Sequence, residues 1–122
     1  MKKLLQLLLF LGALWSCRNN HDIKIIQSDN DKVYEFSADF PASQTTKVRN
    51  YLDEKLEAGG DFKFQKAEID ANITLNNDMT FYVKSEKGKL RIEFDREENS
   101  HDNYIKIKKV CNGLKKILTQ KS

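Results

Sequence analysis

Val33-Tyr34-Glu35-Phe36-Ser37-Ala38-Asp39-Phe40 places Tyr34, Phe36, Ala38 and Phe40 at every second position, with Glu35, Ser37 and Asp39 between them. Successive side chains of an extended chain point to opposite faces, so this octet predicts a strand with one buried and one wet face. Pro41 ends it, because proline lacks the donor that a continued ladder needs. Immediately afterwards the period changes. Val48, Tyr51, Leu52 and Leu56 fall at i, i+3, i+4 and i+8, a single apolar stripe on a helix over 43–58. Ser43 is the expected N-cap and Gly59-Gly60 the expected stop. A half-buried strand leading into an amphipathic helix requires sheet and helix to share one core.

The flanking segments extend the pattern in both directions. Ile23-Lys24-Ile25-Ile26 reads as a short strand, and Ser28-Asp29-Asn30-Asp31 as a turn. Downstream, Phe62 and Phe64 alternate, and a register change near Lys66 leads into Ile69, Ala71, Ile73 and Leu75 on one face. Asn76-Asn77-Asp78 turns the chain. Phe81 and Val83 face inward on the next strand, Glu86-Lys87-Gly88 forms a three-residue hairpin loop, and Leu90, Ile92 and Phe94 return. Gly88 supplies the positive φ that such a loop demands.

The clearest helix is the last, over about 102–119, with Ser100 as its cap and Asp102 at the positive end of the dipole. Tyr104, Ile107, Val110, Cys111, Leu114, Ile117 and Leu118 span roughly 140° of its wheel. Lys106, Lys108, Lys109, Lys115 and Lys116 line the other side and read as solvated; Ile105 is an exception. The order is ββαβββα. It predicts an α+β two-layer sandwich: an antiparallel sheet of about five strands with two helices on one face.

Composition limits what such a domain can do. A chain of 122 residues holds one small core, so residues 23–122 are expected to form a single domain. Charged residues make up 32%, but the signs nearly cancel to +3, and loss of Lys2 and Lys3 with the leader described below would leave +1. Nucleic acid is therefore not expected as a partner. Two cysteines exclude a disulfide-dense miniprotein and a four-cysteine zinc site.

Residues 1–16 have a different character. Lys2 and Lys3 precede eleven mostly apolar residues, Leu4 to Leu14, and then Trp15-Ser16-Cys17. A helix of that length is far shorter than a hydrocarbon core of about 30 Å, so the segment reads as an export signal. Leu14-Trp15-Ser16-Cys17 resembles the lipobox of bacterial lipoproteins, with Leu at −3, a small residue at −1 and the cysteine at +1. The bulky Trp15 at −2 is similar to the looser lipoboxes of Bacteroidota-like organisms. The resemblance implies that the Cys17 thiol takes a diacylglycerol, that cleavage follows Ser16, and that residues 17–22 are a lipidated tether to the membrane. The residue after Cys17 is Arg18, not the Asp that holds some lipoproteins in the inner membrane. By resemblance to enterobacterial sorting this favours the outer membrane, and the lone Asp22 favours a periplasm-facing position over the cell surface.

The rest of the chain offers little chemistry. Cys111 lies inside the apolar stripe of the last helix, where a free thiol behaves as a small hydrophobe. His101 sits in the acidic run 95–102, whose spacing matches no metal-ligand motif, so it reads as a solvated helix cap. No cofactor, metal or catalytic residue is expected, and the domain reads as non-enzymatic. The lysine side of the last helix has a second reading, contact with anionic headgroups beside a lipid anchor. Tyr82, Lys84, Lys89, Arg91 and Glu93 fall on the sheet face opposite the helices, a mixed patch suited to a protein partner. The expected role is a membrane-anchored binding or assembly module of the cell envelope. The alternative is an immunity-type lipoprotein that neutralises a periplasmic toxin.

Overall fold

The computed structural model describes residues 22–56 and 63–120. The leader, Cys17 and most of the tether lie outside these residues, as do Phe62 and Gly59-Gly60. Seven regular elements follow in order: β1 (Lys24–Asp29), β2 (Val33–Asp39), α1 (Thr45–Leu56), β3 (Ile69–Thr74), β4 (Thr80–Glu86), β5 (Lys89–Asp95) and α2 (His101–Thr119). The fold is α+β in the order ββαβββα, as the periodicity implies. The strands form one antiparallel sheet in the order β1-β2-β5-β4-β3, with β5 in the centre. Two local pieces, the β1–β2 hairpin and the β3–β4–β5 meander, are thus joined by the long-range pairing of β2 with β5.

The period-2 faces hold on β2, β4 and β5, whereas on the edge strand β3 Ala71 is exposed and Ile69 and Ile73 are only half-buried. Tyr34, Phe36 and Ala38 of β2, Phe81 and Val83 of β4, and Leu90, Ile92 and Phe94 of β5 are all buried. They form a single cluster with Val48, Leu52 and Leu56 of α1 and with Tyr104, Ile107, Val110, Cys111, Leu114 and Leu118 of α2. One face of the sheet is therefore covered by both helices, and the other meets solvent. Ser100 caps α2 as expected, its hydroxyl accepting from the Asn103 amide at 3.1 Å.

Several local expectations give way to longer-range pairing. Ser28 and Asp29 belong to β1, not to a turn, because they pair with Glu35 and Tyr34 across the hairpin. The turn falls at Asn30, whose side chain accepts from the amides of Lys32 and Val33. Ser43 is not a helix cap: it is exposed in a 3-10 turn, Ala42–Gln44, set by Pro41, and α1 starts at Thr45. Phe64 is not in a strand either. It is fully buried in a turn, with its amide held by the Asp53 carboxylate of α1 at 2.5 Å. The β4–β5 loop has two residues, since Glu86 pairs with Lys89; Gly88, at φ 75°, keeps the positive dihedral expected of it.

Gly113, in the middle of α2, has a packing reason that its helical position hides. A Cβ there would stand 1.9 Å from the Tyr51 hydroxyl oxygen of α1. Replacing a mid-helix Gly by Ala ordinarily gains up to about 1 kcal/mol in helix propensity. Here the Tyr51 ring must move, and overpacking of this kind costs about 1–3 kcal/mol. Gly113→Ala should therefore destabilise the native protein yet stabilise a Tyr51→Ala background. Urea unfolding of the four-member cycle reads that change of sign; the same sign in both backgrounds would contradict the close approach.

Candidate functional site

The open face of the sheet carries the exposed side chains predicted for it. Cross-strand register aligns them in rows. Ile26, Ser37, Arg91 and Lys84 share one row, and Ser28, Glu35, Glu93 and Tyr82 the next but one. Antiparallel neighbours on one face stand close enough to interact. Arg91 pairs with Glu93 at 2.9 Å along β5, and Lys84 lies 3.8 Å from Glu86 along β4. The Tyr82 hydroxyl donates to the Asp70 carboxylate of β3 at 2.6 Å, and that bond holds its phenol above the usual pKa.

Two shallow hollows divide this face. One, of about 200 Å³, is lined by Lys24, Ile26, Asp39, Lys84, Lys89 and Arg91. The other, of about 220 Å³, is lined by Val33, Asn72, Tyr82, Glu93, Asp95 and Glu98. The first is chiefly cationic and the second anionic, so the face is polarised along the strands. Ile26, 56% exposed, is the large apolar group at the cationic end. Sequence reasoning found Tyr82, Lys84, Lys89, Arg91 and Glu93 but missed Lys24, Ile26 and Asp39. Their own alternation was the available signal, but only the β1–β2–β5 register shows which hollow they share.

A second polar cluster ties α2 to the β1–β2 hairpin, and it corrects the reading of Lys108 as a solvated lysine. Lys108 Nζ lies 2.8 Å from Asp29 Oδ2 and donates to the Tyr104 hydroxyl at 3.2 Å; that hydroxyl donates in turn to Asp29 Oδ2 at 2.7 Å. The Arg96 guanidinium stacks on the Tyr104 ring, 3.8 Å from its centroid, and donates to the Asn30 carbonyl at 2.8 Å. Lys108 reaches back one turn, so its charge lands over Tyr104 although its Cα lies on the flank of the wheel.

Partial burial pushes the Asp29 carboxyl up. The hydrogen bonds from Lys108 and Tyr104, with the charges of Lys108 and Arg96, outweigh it and hold Asp29 below its ordinary 3.8. The hydrogen bond to Asp29, then that to Tyr104, raises Lys108 above its ordinary 10.5. A depressed carboxylate stabilises the fold above its unfolded pKa, and the effect fades as pH falls through the folded value. A raised ammonium stabilises below its unfolded pKa and loses that effect as pH rises through the folded value. The cluster should thus contribute over a plateau from about pH 4 to about pH 10. Asp29→Asn should lower the urea midpoint at pH 7, and its deficit should shrink as pH drops below about 4. A deficit independent of pH would assign Asp29 a packing role only.

Chemistry at the remaining candidates is limited by burial or by isolation. Burial, opposed by a hydrogen bond with Tyr34, pushes the Cys111 thiol up to about 12, so it is a core group and not a thiolate nucleophile. His101 is exposed at the start of α2, its ring 5.8 Å from that of Tyr104. Among the described residues no group of His, Cys, Asp and Glu side chains is placed to hold a metal ion. No helix among them is long and apolar enough to cross a membrane. Asn99, from the acidic run, instead bridges β4 to the start of α2, accepting from the Thr80 amide and donating to the carbonyls of Thr80 and Asp95.

With protein-family models, curated proteins and solved structures, the chain has no match.

Proposed function

We propose that the chain is a lipid-anchored, non-enzymatic binding or assembly module of the bacterial cell envelope. It is held through Cys17 at the periplasmic side of the outer membrane and engages a protein partner with the open sheet face. The observation that carries the binding role is this uncovered face. Five paired strands fix Tyr82, Lys84, Arg91 and Glu93 in register on a platform backed by a continuous core. An antiparallel sheet with one covered face presents its other face without any rearrangement. Burial of Cys111 supports the non-enzymatic reading, since the thiol has no access to a substrate.

Both halves of the proposal are open to test in cells. Labelled palmitate should enter the wild-type protein and not Cys17→Ala; no uptake by the wild type would remove the anchor. A photo-crosslinking residue at Tyr82 should give a discrete heavier adduct, whereas one at Lys109, exposed on α2, should not. Adducts from position 109 alone, or from neither position, would move the partner off the sheet face.

A further inference from the structure

The polarity of the sheet face extends to the whole domain and is aligned with the tether. Chain geometry fixes which end meets the membrane. Cys17 precedes the first residue of β1, Lys24, by seven positions, so that end of the sheet cannot stand more than about 25 Å from the lipid. The β4–β5 hairpin, with Lys87 in its loop and Lys89 at the start of β5, lies at the same end, because Lys24 pairs with Asp39 and Asp39 with Lys89. α2 arrives there as well. It starts beside β4 at the far end, where Asn99 holds Thr80, passes Asp29 at Lys108, and reaches Gln27 at Asn112. Its last turns, with Lys115 and Lys116, therefore extend toward the N-terminal end of β1.

The tether end thus collects Lys24, Lys87, Lys89, Arg91, Lys115 and Lys116 from both layers, all exposed. Asp22, Asp39, Glu68, Asp70 and Glu86 sit among them, Glu86 beside Lys84 and Asp70 opposite Lys84 in register. The opposite end carries Asp31, Asp78, Asp95, Glu97 and Glu98, with Lys32 and Arg96 among them, while Glu93 lies in mid-sheet paired with Arg91. Lys24 and Lys89 have no ion-pair partner among the described residues, so their charges are available to a ligand.

We infer that this tether end is a docking surface for an anionic phospholipid bilayer, which orients the domain with its acidic end and open sheet face turned away from the membrane. The inference rests on the lipid-anchor reading and adds an orientation to it. A diacylglycerol anchor already holds the chain at the bilayer; a cluster of cations beside it adds attraction to anionic headgroups and so an orientation, and this cationic part fades within a Debye length. It also replaces the contact expected from the whole lysine side of α2: Lys106 and Lys109 lie further up the helix, and only its last turns reach the bilayer.

The test uses the full lipid-bearing protein in vesicles. Cys17 carries the lipid and Cys111 is fully buried. A cysteine placed at Ser43, in the exposed turn beside Gly88, therefore reports on the tether end, and one at Asn76 on the far end. Both would be alkylated with an uncharged maleimide. In vesicles containing phosphatidylglycerol, S43C should react several-fold more slowly than in pure phosphatidylcholine, while N76C reacts alike in both. About 1 M salt, which shortens the Debye length to about 3 Å, should abolish the protection. So should K87E with K89E in the S43C protein. Equal S43C rates in both vesicle types, with the protein still floating with the vesicles, would overturn the orientation and leave the anchor standing. Protection in phosphatidylcholine as strong as in phosphatidylglycerol would overturn it too, since a short tether alone would then suffice. Protein that floats with neither vesicle overturns the anchor, and the orientation with it.

Discussion

Truncating Leu114 to Ala is expected to destabilise the domain by about 2–5 kcal/mol, the range for deleting a buried Leu side chain when the surroundings relax only in part. Leu114 is fully buried and sits centrally in the apolar stripe of α2, between Val110 and Cys111 on one side and Leu118 on the other. Small domains have about 5–15 kcal/mol of stability in total, so the loss should be plain as a lower urea midpoint with an unchanged slope. The adjacent Lys115 is exposed, and Lys115→Ala should shift stability by no more than about 0.5 kcal/mol. Equal effects of the two substitutions would mean that α2 is rotated from the orientation described.

Gly88→Ala should cost about 2–3 kcal/mol, although it adds one methyl group in a surface hairpin, because two penalties combine. The residue has φ 75°, a left-handed conformation that costs an L side chain about 1–2 kcal/mol. An added Cβ would also stand 2.9 Å from the Phe40 carbonyl oxygen, and a backbone oxygen cannot swing aside as a side-chain end can. The position is further pinned by two hydrogen bonds: its amide donates to Thr45 Oγ1 at 2.9 Å, and its carbonyl accepts from the Phe40 amide at 3.0 Å. Gly88→Asn separates the two penalties, since Asn tolerates the left-handed region but still carries a Cβ. It should fall between wild type and Gly88→Ala. A variant as stable as wild type would show that Phe40 yields without cost.

Gly88 illustrates how far local reading goes. Its dihedral was legible from a hairpin context, but the approach of the Phe40 carbonyl was not. That carbonyl follows directly on β2, nearly fifty residues earlier, and is brought alongside only when β2 pairs with β5. The same division applies to the candidate site. Tyr82, Lys84, Lys89, Arg91 and Glu93 were readable as one face because alternation along a strand is a local property. Lys24, Ile26 and Asp39, which complete the cationic hollow, required the sheet order. Lys108 was misread because its Cα position on the wheel is solvent-flanking, whereas its ammonium travels with a flexible stem to Asp29.

Amino-acid order alone established the sequence ββαβββα and the buried faces of β2, β4, β5 and the two helices, because the periods of 2 and 3.6 are properties of the backbone and act over a few residues. The expectation of a leader that ends at a lipid-bearing Cys17 likewise comes from amino-acid order, since that pattern lies in consecutive residues. Tertiary structure decided the central place of β5, the turn that buries Phe64, the close approach of Tyr51 to Gly113, and the gathering of Lys24, Lys87 and Lys89 at one end of the sheet. Those depend on which distant segments meet. Many strand orders bury the same apolar faces, and only packing in three dimensions, with the backbone groups of each strand paired to a particular neighbour, selects one of them.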